Sequence, residues 1–383
     1  MKELVRREIR NLLHHPIYII CMVVLPLFVA VYFTSMMDEG QPTSMPIGVV
    51  DRDNTSTTRK LTRTIDAFQN SHVVAHYPSV DRAREAMQRN EIYGFVLFPQ
   101  HMTQDLLSGR QPKMSFYYSN TSLTAGALLY KEMKTMCMLA SAAVGQAMMS
   151  ARGFTKEQIM SFLQPIGVEA HMVGNPWVNY NIYLSTMLVP GVLMLFIFLM
   201  TAYSLGTEIK FNTQGEWLSL AGGNIFKAIA GKLVVHTALF LMVFYLLLLY
   251  LFGVLHFPAP GGVFRLMLLG LLAVLASQGF ALFIFGLVPS LRMSMSICSL
   301  WAVLSFSMVG SAFPVFAMDA PLQTMAWLFP LRHYYMIYQL CIFNTNPLAD
   351  ALPHIAMMIV FALLPLLVVR RMHRAMKEYG YQP

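Results

Sequence analysis

Between two long apolar runs lies "LGTEIKFNTQGEWLSLAGGNIFKAIAGKLV", residues 205–234, with Glu208 and Glu216 toward its front and Lys232 near its end. Glu208, at the end of an apolar run, reads either as a solvated end charge or as an ionic contact within a coupling surface, and Trp217-Leu218 supplies an apolar pair beside it. The ending "AGKL" invites comparison with a phosphate-binding loop. The pattern G-x-x-x-x-G-K-[ST] fails here, because Phe226 stands at the first glycine position and Leu233 at the Ser/Thr position. Nucleotide is therefore not held by that mechanism. No Ser/His/Asp, paired-carboxylate or Cys/His set has catalytic spacing. Cys21, Cys137, Cys298 and Cys341 are far apart and read as free thiols, and the histidines, His72 and His76 included, form no metal-ligand pattern.

A second unusual stretch is "GSAFPVFAMDAPLQTMAWLFPLRHYY", residues 310–335. It is apolar enough to enter a bilayer, yet Pro314, Pro321 and Pro330 interrupt it and Asp319 and Arg332 charge it. Proline ends a helix or opens one, so the spacing predicts that Pro314 ends a span. Pro321 then starts a short helix, Pro330 stops it, and another begins near His333. Trp327, Tyr334, Tyr335 and Tyr338 suit headgroup depth. Broken backbone at membrane depth is tolerated only against protein or a water-lined cavity. The segment 314–345, with Pro314, Asp319, Pro321, Trp327, Pro330 and Arg332, therefore reads either as a structural re-entrant hairpin or as one that helps line or gate the outer end of a pathway.

The elements that carry these residues are membrane helices. The 383-residue chain is 56% hydrophobic and 12% charged, about half the usual charged fraction of a soluble domain. Six stretches, roughly 17–37, 181–205, 233–255, 266–288, 294–316 and 352–369, are long enough to cross the hydrocarbon core. The first is too long for a signal peptide and lacks a small-residue cleavage site, so it reads as an anchor. With the N-terminus in the cytoplasm, the short inner segments hold Lys2, Arg6, Arg7, Arg10, Lys210, Lys227, Lys232, Arg292, Arg370, Arg371, Arg374 and Lys377. The short outer loops hold Arg265 and Arg332. That asymmetry sets both termini inside. It also accounts for the net charge of +8 without nucleic acid. The spans contain no mid-membrane relay of acids and bases, which argues against an ion-coupled carrier.

Residues 1–15, "MKELVRREIRNLLHH", read as an amphipathic helix along the cytoplasmic surface, with Leu4, Val5, Ile9, Leu12 and Leu13 toward lipid and Lys2, Arg6 and Arg10 toward headgroups. Residues 16–37 form the first span. Residues 38–180 read as an extracytoplasmic α/β domain: strands "MPIGVVD", "HVVAHY", "IYGFVLFP" and "KMSFYYS" alternate with helices at 55–68, 79–90 and 100–108. Residues 123–150 form one long Ala- and Met-rich helix, too short in its apolar part to be a seventh span, packed within the domain or on a second copy. Residues 181–370 carry five spans and the loop 206–232, and 371–383 form a cytoplasmic tail. The fold class is an α-helical integral membrane protein with six transmembrane helices and an α/β domain between spans one and two.

Over essentially its whole length the chain resembles the membrane subunit of type-2 ATP-binding-cassette exporters that carry a large extracytoplasmic domain after the first span. The resemblance rests on the basic N-terminal helix, on Glu208 with "NTQGEWLSL" and Gly231-Lys232, and on "GSAFPVFAMDAPLQTMAWLFPLRHYYMIYQ". The family's E-x-G-T-type stretch appears here in scrambled order as "GTEIKFNTQGEW". The resemblance implies a permease of the bacterial inner membrane that exports a drug, lipid or peptide. It binds no cofactor itself; ATP and magnesium sit on a separate cytoplasmic ATPase subunit. Arg6, Arg10, Glu208, Glu216, Trp217, Leu218 and Lys232 would couple to that ATPase. A second permease copy or sibling, membrane lipids and, in some relatives, a periplasmic adaptor complete the implied partners. The rival class is a multi-span receptor or scaffold whose outer domain binds a ligand.

Overall fold

The computed structural model describes residues 1–163, 171, 175 and 178–378. Residues 379–383 of the tail and most of 164–177 lie outside the described residues. The chain divides into two compact units, one of Met1–Asp38 with Gly174–Pro383, the other Glu39–Val173.

Helix α1 (Lys2–His14) opens the first unit. His15 is extended, and Pro16 begins α2 (Pro16–Met36), where its fixed φ suits a helix start and its missing N–H costs nothing. Thereafter the chain enters the second unit. Its strands β1 (Met45–Asp51), β2 (Ser71–His76), β3 (Gly94–Phe98) and β4 (Ser115–Tyr118) make a four-stranded sheet in the order β2-β1-β3-β4. β1 runs parallel to β2 and β3, and β4 is antiparallel to β3. Between them lie α3 (Ser56–Asp66), α4 (Val80–Gln88) and α5 (Met102–Leu107). Alternation along β1 separates two cores. Ile47 and Val49 face Ile65 of α3 and Leu129 and Met133 of α6 (Leu123–Ala151), while Val50 meets Ala83 and Ala86 of α4. The first half of α6 is buried on the sheet through Leu129, Met133 and Met136, whereas Met138, Leu139 and Met148 are exposed. A short helix, α7 (Lys156–Leu163), follows.

The first unit resumes with α8 (Tyr180–Lys210), α9 (Gln214–Leu220), α10 (Ile225–Val254), α11 (Val263–Leu287) and α12 (Leu291–Met308). Next come α13 (Ala320–Met325) and α14 (Pro330–Ile337), then α15 (Leu352–Leu363) and α16 (Pro365–Glu378). Among the described residues, six helices, α2, α8, α10, α11, α12 and the segment Leu348–Glu378, are long and apolar enough to cross a membrane. α11 is the most buried of them and packs against α8, α15 and α16. Its contact with α15 is a backbone-to-backbone crossing at Gly279, where a Cβ would come within 2.6 Å of Ala362 Cα. Backbone cannot yield there as a flexible side chain would. Gly279→Ala is expected to destabilise the chain by about 1–3 kcal/mol, read as a lower melting temperature in detergent. Gly215→Ala on α9, where nothing lies within 4 Å, should be neutral or slightly stabilising.

Candidate functional site: a buried ion cluster under the N-terminal helix

α1 lies against the start of α10, and glycine sets the distance. A Cβ on Gly231 would meet Leu4 Cβ at 2.7 Å, so only glycine lets the two helices approach this closely. Leu4, Glu8 and Leu12 form the buried stripe of α1 at i, i+4, i+8. The charged member of that stripe, Glu8, thereby comes over Lys232 and His236, which are themselves four residues apart on one face of α10. Glu8 Oε2 lies 3.0 Å from Lys232 Nζ, and Glu8 Oε1 lies 2.8 Å from His236 Nε2.

α8 supplies the second carboxylate. Glu208 Oε1 accepts from Lys232 Nζ at 2.9 Å, and both Glu208 oxygens receive the Arg7 guanidinium, NH1 at 2.8 Å and NH2 at 2.9 Å. That paired geometry is the strong form of a carboxylate–arginine contact. The Thr213 hydroxyl, at the start of α9, donates to Glu208 Oε2 at 2.5 Å. Lys232 completes its three donors on the Ser204 carbonyl at 3.2 Å and lies 5.6 Å from the centre of the Trp217 ring. Tyr18 of α2 stands edge-on to His236 at 6.0 Å.

Glu8, Glu208, Lys232 and His236 are 1%, 3%, 2% and 0% exposed. Burying such charges is costly unless they are paired and hydrogen-bonded, and here they are. Two cations, Arg7 and Lys232, balance two carboxylates. His236 Nδ1 has no partner, which fits a neutral imidazole with its proton on Nε2, donated to Glu8. Burial alone would push the Glu8 carboxyl up, but Lys232 and the His236 hydrogen bond outweigh it and hold Glu8 below the ordinary carboxylate range. Hydrogen bonding to Glu208 holds the Arg7 guanidinium above its ordinary value. The cluster is an ionic lock that joins α1, α8, α9 and α10; it contains no nucleophile or acid–base pair poised for a reaction.

Of the residues singled out in the sequence, Glu208, Trp217, Leu218 and Lys232 come together here, all buried. Arg6, Arg10 and Glu216 are exposed and take no part in the lock. Sequence reasoning missed Arg7, Glu8, Thr213 and His236. The apolar stripe of α1 is also rotated from expectation: Ile9 and Leu13, assigned with Leu4 and Leu12 to one lipid-facing side, are exposed while Leu4 and Leu12 are buried.

In the second stretch, α12 ends at Met308, before Pro314. Asp319 precedes α13, Pro321 lies in its first turn, and Pro314, Asp319, Pro321 and Trp327 are exposed. Pro330 is the first residue of α14 and opens that helix three residues before the start expected near His333, as its fixed φ favours. Arg332 donates to the Val309 carbonyl at 2.9 Å. His333 donates Nε2–H to the Trp327 carbonyl at 2.8 Å, so its Nδ1 accepts from His354 Nδ1–H of α15 at 2.9 Å. This segment is thus pinned to the ends of α12 and α15.

Residues 16–370 match the sequence family described as "ABC-2 family transporter protein". The chain belongs to the ABC-2 transporter family. No curated protein matches it. As an ABC-2 permease it is a multi-pass membrane protein. ABC-2 permeases partner with an ATPase subunit, and that ATPase is normally a separate polypeptide. No group of three or more metal-ligating side chains occurs among the described residues.

Proposed function

We propose that this ABC-2 permease is the membrane subunit of an exporter, moving a lipophilic or amphiphilic substrate out of the cytoplasm or inner membrane. A separate cytoplasmic ATPase drives it, with ATP and magnesium bound there, and a second copy or sibling permease completes the pathway. The observation that carries this reading is the ionic lock. A surface helix, α1, is tied through adjacent residues Arg7 and Glu8 to two different spans, so a push on α1 or α9 displaces α8 and α10 together. Arg6, Arg10 and Glu216, exposed around the lock, are the side chains offered to the ATPase. The basic residues beside the spans support an orientation with both termini in the cytoplasm and the α/β unit outside. The pinned segment around Trp327, Pro330 and Arg332 then serves as the outer gate.

The test is affinity purification of the chain in mild detergent from its native membrane, with mass spectrometry and an ATPase assay on the eluate. A stoichiometric soluble ATPase whose stimulated activity depends on Glu208 is expected. Recovery of the intact chain alone under several detergents would favour the receptor or scaffold class instead.

A further inference from the structure

An open cavity of about 450 Å³ lies between the turn that precedes α10 and the last helix, α16. It adjoins the end of the bundle that holds the ion cluster, since Met372 and Met376 of α16 share a core with Trp217 and Leu218. Gly222, Gly223 and Phe226 form one side of it, and Val369, Arg370 and His373 the other; no carboxylate lines it among the described residues. Gly222 and Gly223 adopt φ of +66° and +75° with open space where a Cβ would sit, so the backbone floor is bare. Asn224 Oδ1 already accepts from the Phe226 and Lys227 N–H groups. Two of the first N–H groups of α10 are thus already taken, and the charge in the lining is on side chains of α16.

Those side chains are basic and uncommitted. Arg370 and His373 are three residues apart on α16 and share a face. Arg370 is exposed and makes no hydrogen bond or ion pair among the described residues. His373 Nδ1 is buried without a partner. With Nδ1 shut in, Nε2 is the ring nitrogen left to meet a ligand.

Depth identifies the ligand. Leu366, one turn before Arg370 on the same face, is 56% exposed, and Phe226 across the cavity is 53% exposed. Apolar side chains exposed on a spanning helix face hydrocarbon. The change from Leu366 and Leu367 to Arg370, Arg371 and Arg374 within two turns marks the headgroup level. A basic cavity at that level, continued by apolar flanks, complements an amphiphile with an anionic head. We propose that this cavity binds the phosphodiester headgroup of an anionic phospholipid. Arg370 and His373 Nε2–H donate to phosphate oxygens, and an acyl chain runs along Leu366 and Phe226. The assignment requires neither a transport direction nor an ATPase.

The test uses the full chain, delipidated in detergent, titrated with phosphatidylglycerol or phosphatidylcholine and read by native mass spectrometry. Phosphatidylglycerol is expected to bind at least about tenfold more tightly, with R370Q and H373Q each losing about fivefold of that preference. R371Q, outside the cavity, should keep it. Equal affinity for the two lipids, or a preference unchanged in R370Q/H373Q, overturns the proposal. So does inorganic phosphate binding at the cavity while the lipid does not, which would make it a free-anion site. Loss of ATPase capture in R370Q/H373Q with lipid preference intact would make it a protein-docking surface and also overturns it. If the variants do not fold, the wild-type chain decides: its melting temperature should rise with phosphatidylglycerol and not with phosphatidylcholine, and equal shifts refute the site.

Discussion

Lys232→Met should lower the melting temperature of the solubilised chain more than any other single change in the ion cluster, and adding Glu8→Gln should restore part of the loss. Lys232 is the cation shared by Glu8 and Glu208, at 3.0 and 2.9 Å. Removing it leaves two buried carboxylates facing one guanidinium, and stranding a buried charge costs about 3–5 kcal/mol. In the double variant Arg7 and Glu208 again balance, so Lys232→Met with Glu8→Gln should be more stable than Lys232→Met alone. The pH dependence should reverse as well. In the wild type Glu8 sits below its ordinary value, so its contribution is complete above the ordinary carboxylate range and is lost only as pH falls through the depressed value. Without Lys232, burial dominates and raises the Glu8 carboxyl above its unfolded value. Its protonated form is then the stable one, and stability is lost as pH rises. Melting curves at pH 4.5 and 7.5 check this: the single variant should melt higher at pH 4.5, and one that melts higher at pH 7.5 would contradict the assignment of Lys232 as the shared counter-ion.

The α/β unit was legible almost element by element, because period-two apolar runs alternate with capped helices. Thr55 and Ser79 stand where caps are needed, and each accepts from a backbone N–H in the first turn of its helix. The spans were equally legible from their length and lack of charge. The ion cluster was half legible. Glu208 and Lys232 draw notice as charges at the ends of apolar runs, but their partners lie some two hundred residues away on α1. There Glu8 looks like one more surface charge on a basic amphipathic helix. The signal that distinguishes it is local: Glu8 falls midway between Leu4 and Leu12 at i±4, so any face that buries both leucines must bury the carboxylate too. His236 carried a matching signal, four residues after Lys232. What the sequence could not supply is the rotation of α1, since Ile9 and Leu13 make an alternative apolar face of similar strength. The close approach at Gly231 decides between them.

Arg7→Met is expected to uncouple the permease at a smaller cost in stability than Lys232→Met. The Arg7 side chain is 21% exposed, so water can partly replace it around Glu208, and losing its charge-assisted hydrogen bonds costs about 1.5–3 kcal/mol. Glu208 keeps Lys232 and the Thr213 hydroxyl, and α1 keeps its Glu8 contacts with α10. What disappears is the only pair of bonds among the described residues that ties the α1 side chains to the Glu208 carboxylate of α8. On the proposed route, a push on α1 would then reach α8 only indirectly, through Glu8 and Lys232, and substrate-stimulated ATP hydrolysis by the reconstituted complex should fall by roughly tenfold, a loss of about 1.4 kcal/mol in the coupled step. Arg7→Lys should fall between, because an ammonium carries the charge without the two-pronged geometry. Arg6→Met, one residue away and exposed, should leave both the lock and the melting temperature unchanged. If Arg7→Met melts lower yet retains full stimulated hydrolysis and transport, the cluster is a structural clamp, and the coupling route must pass through α9 without α1.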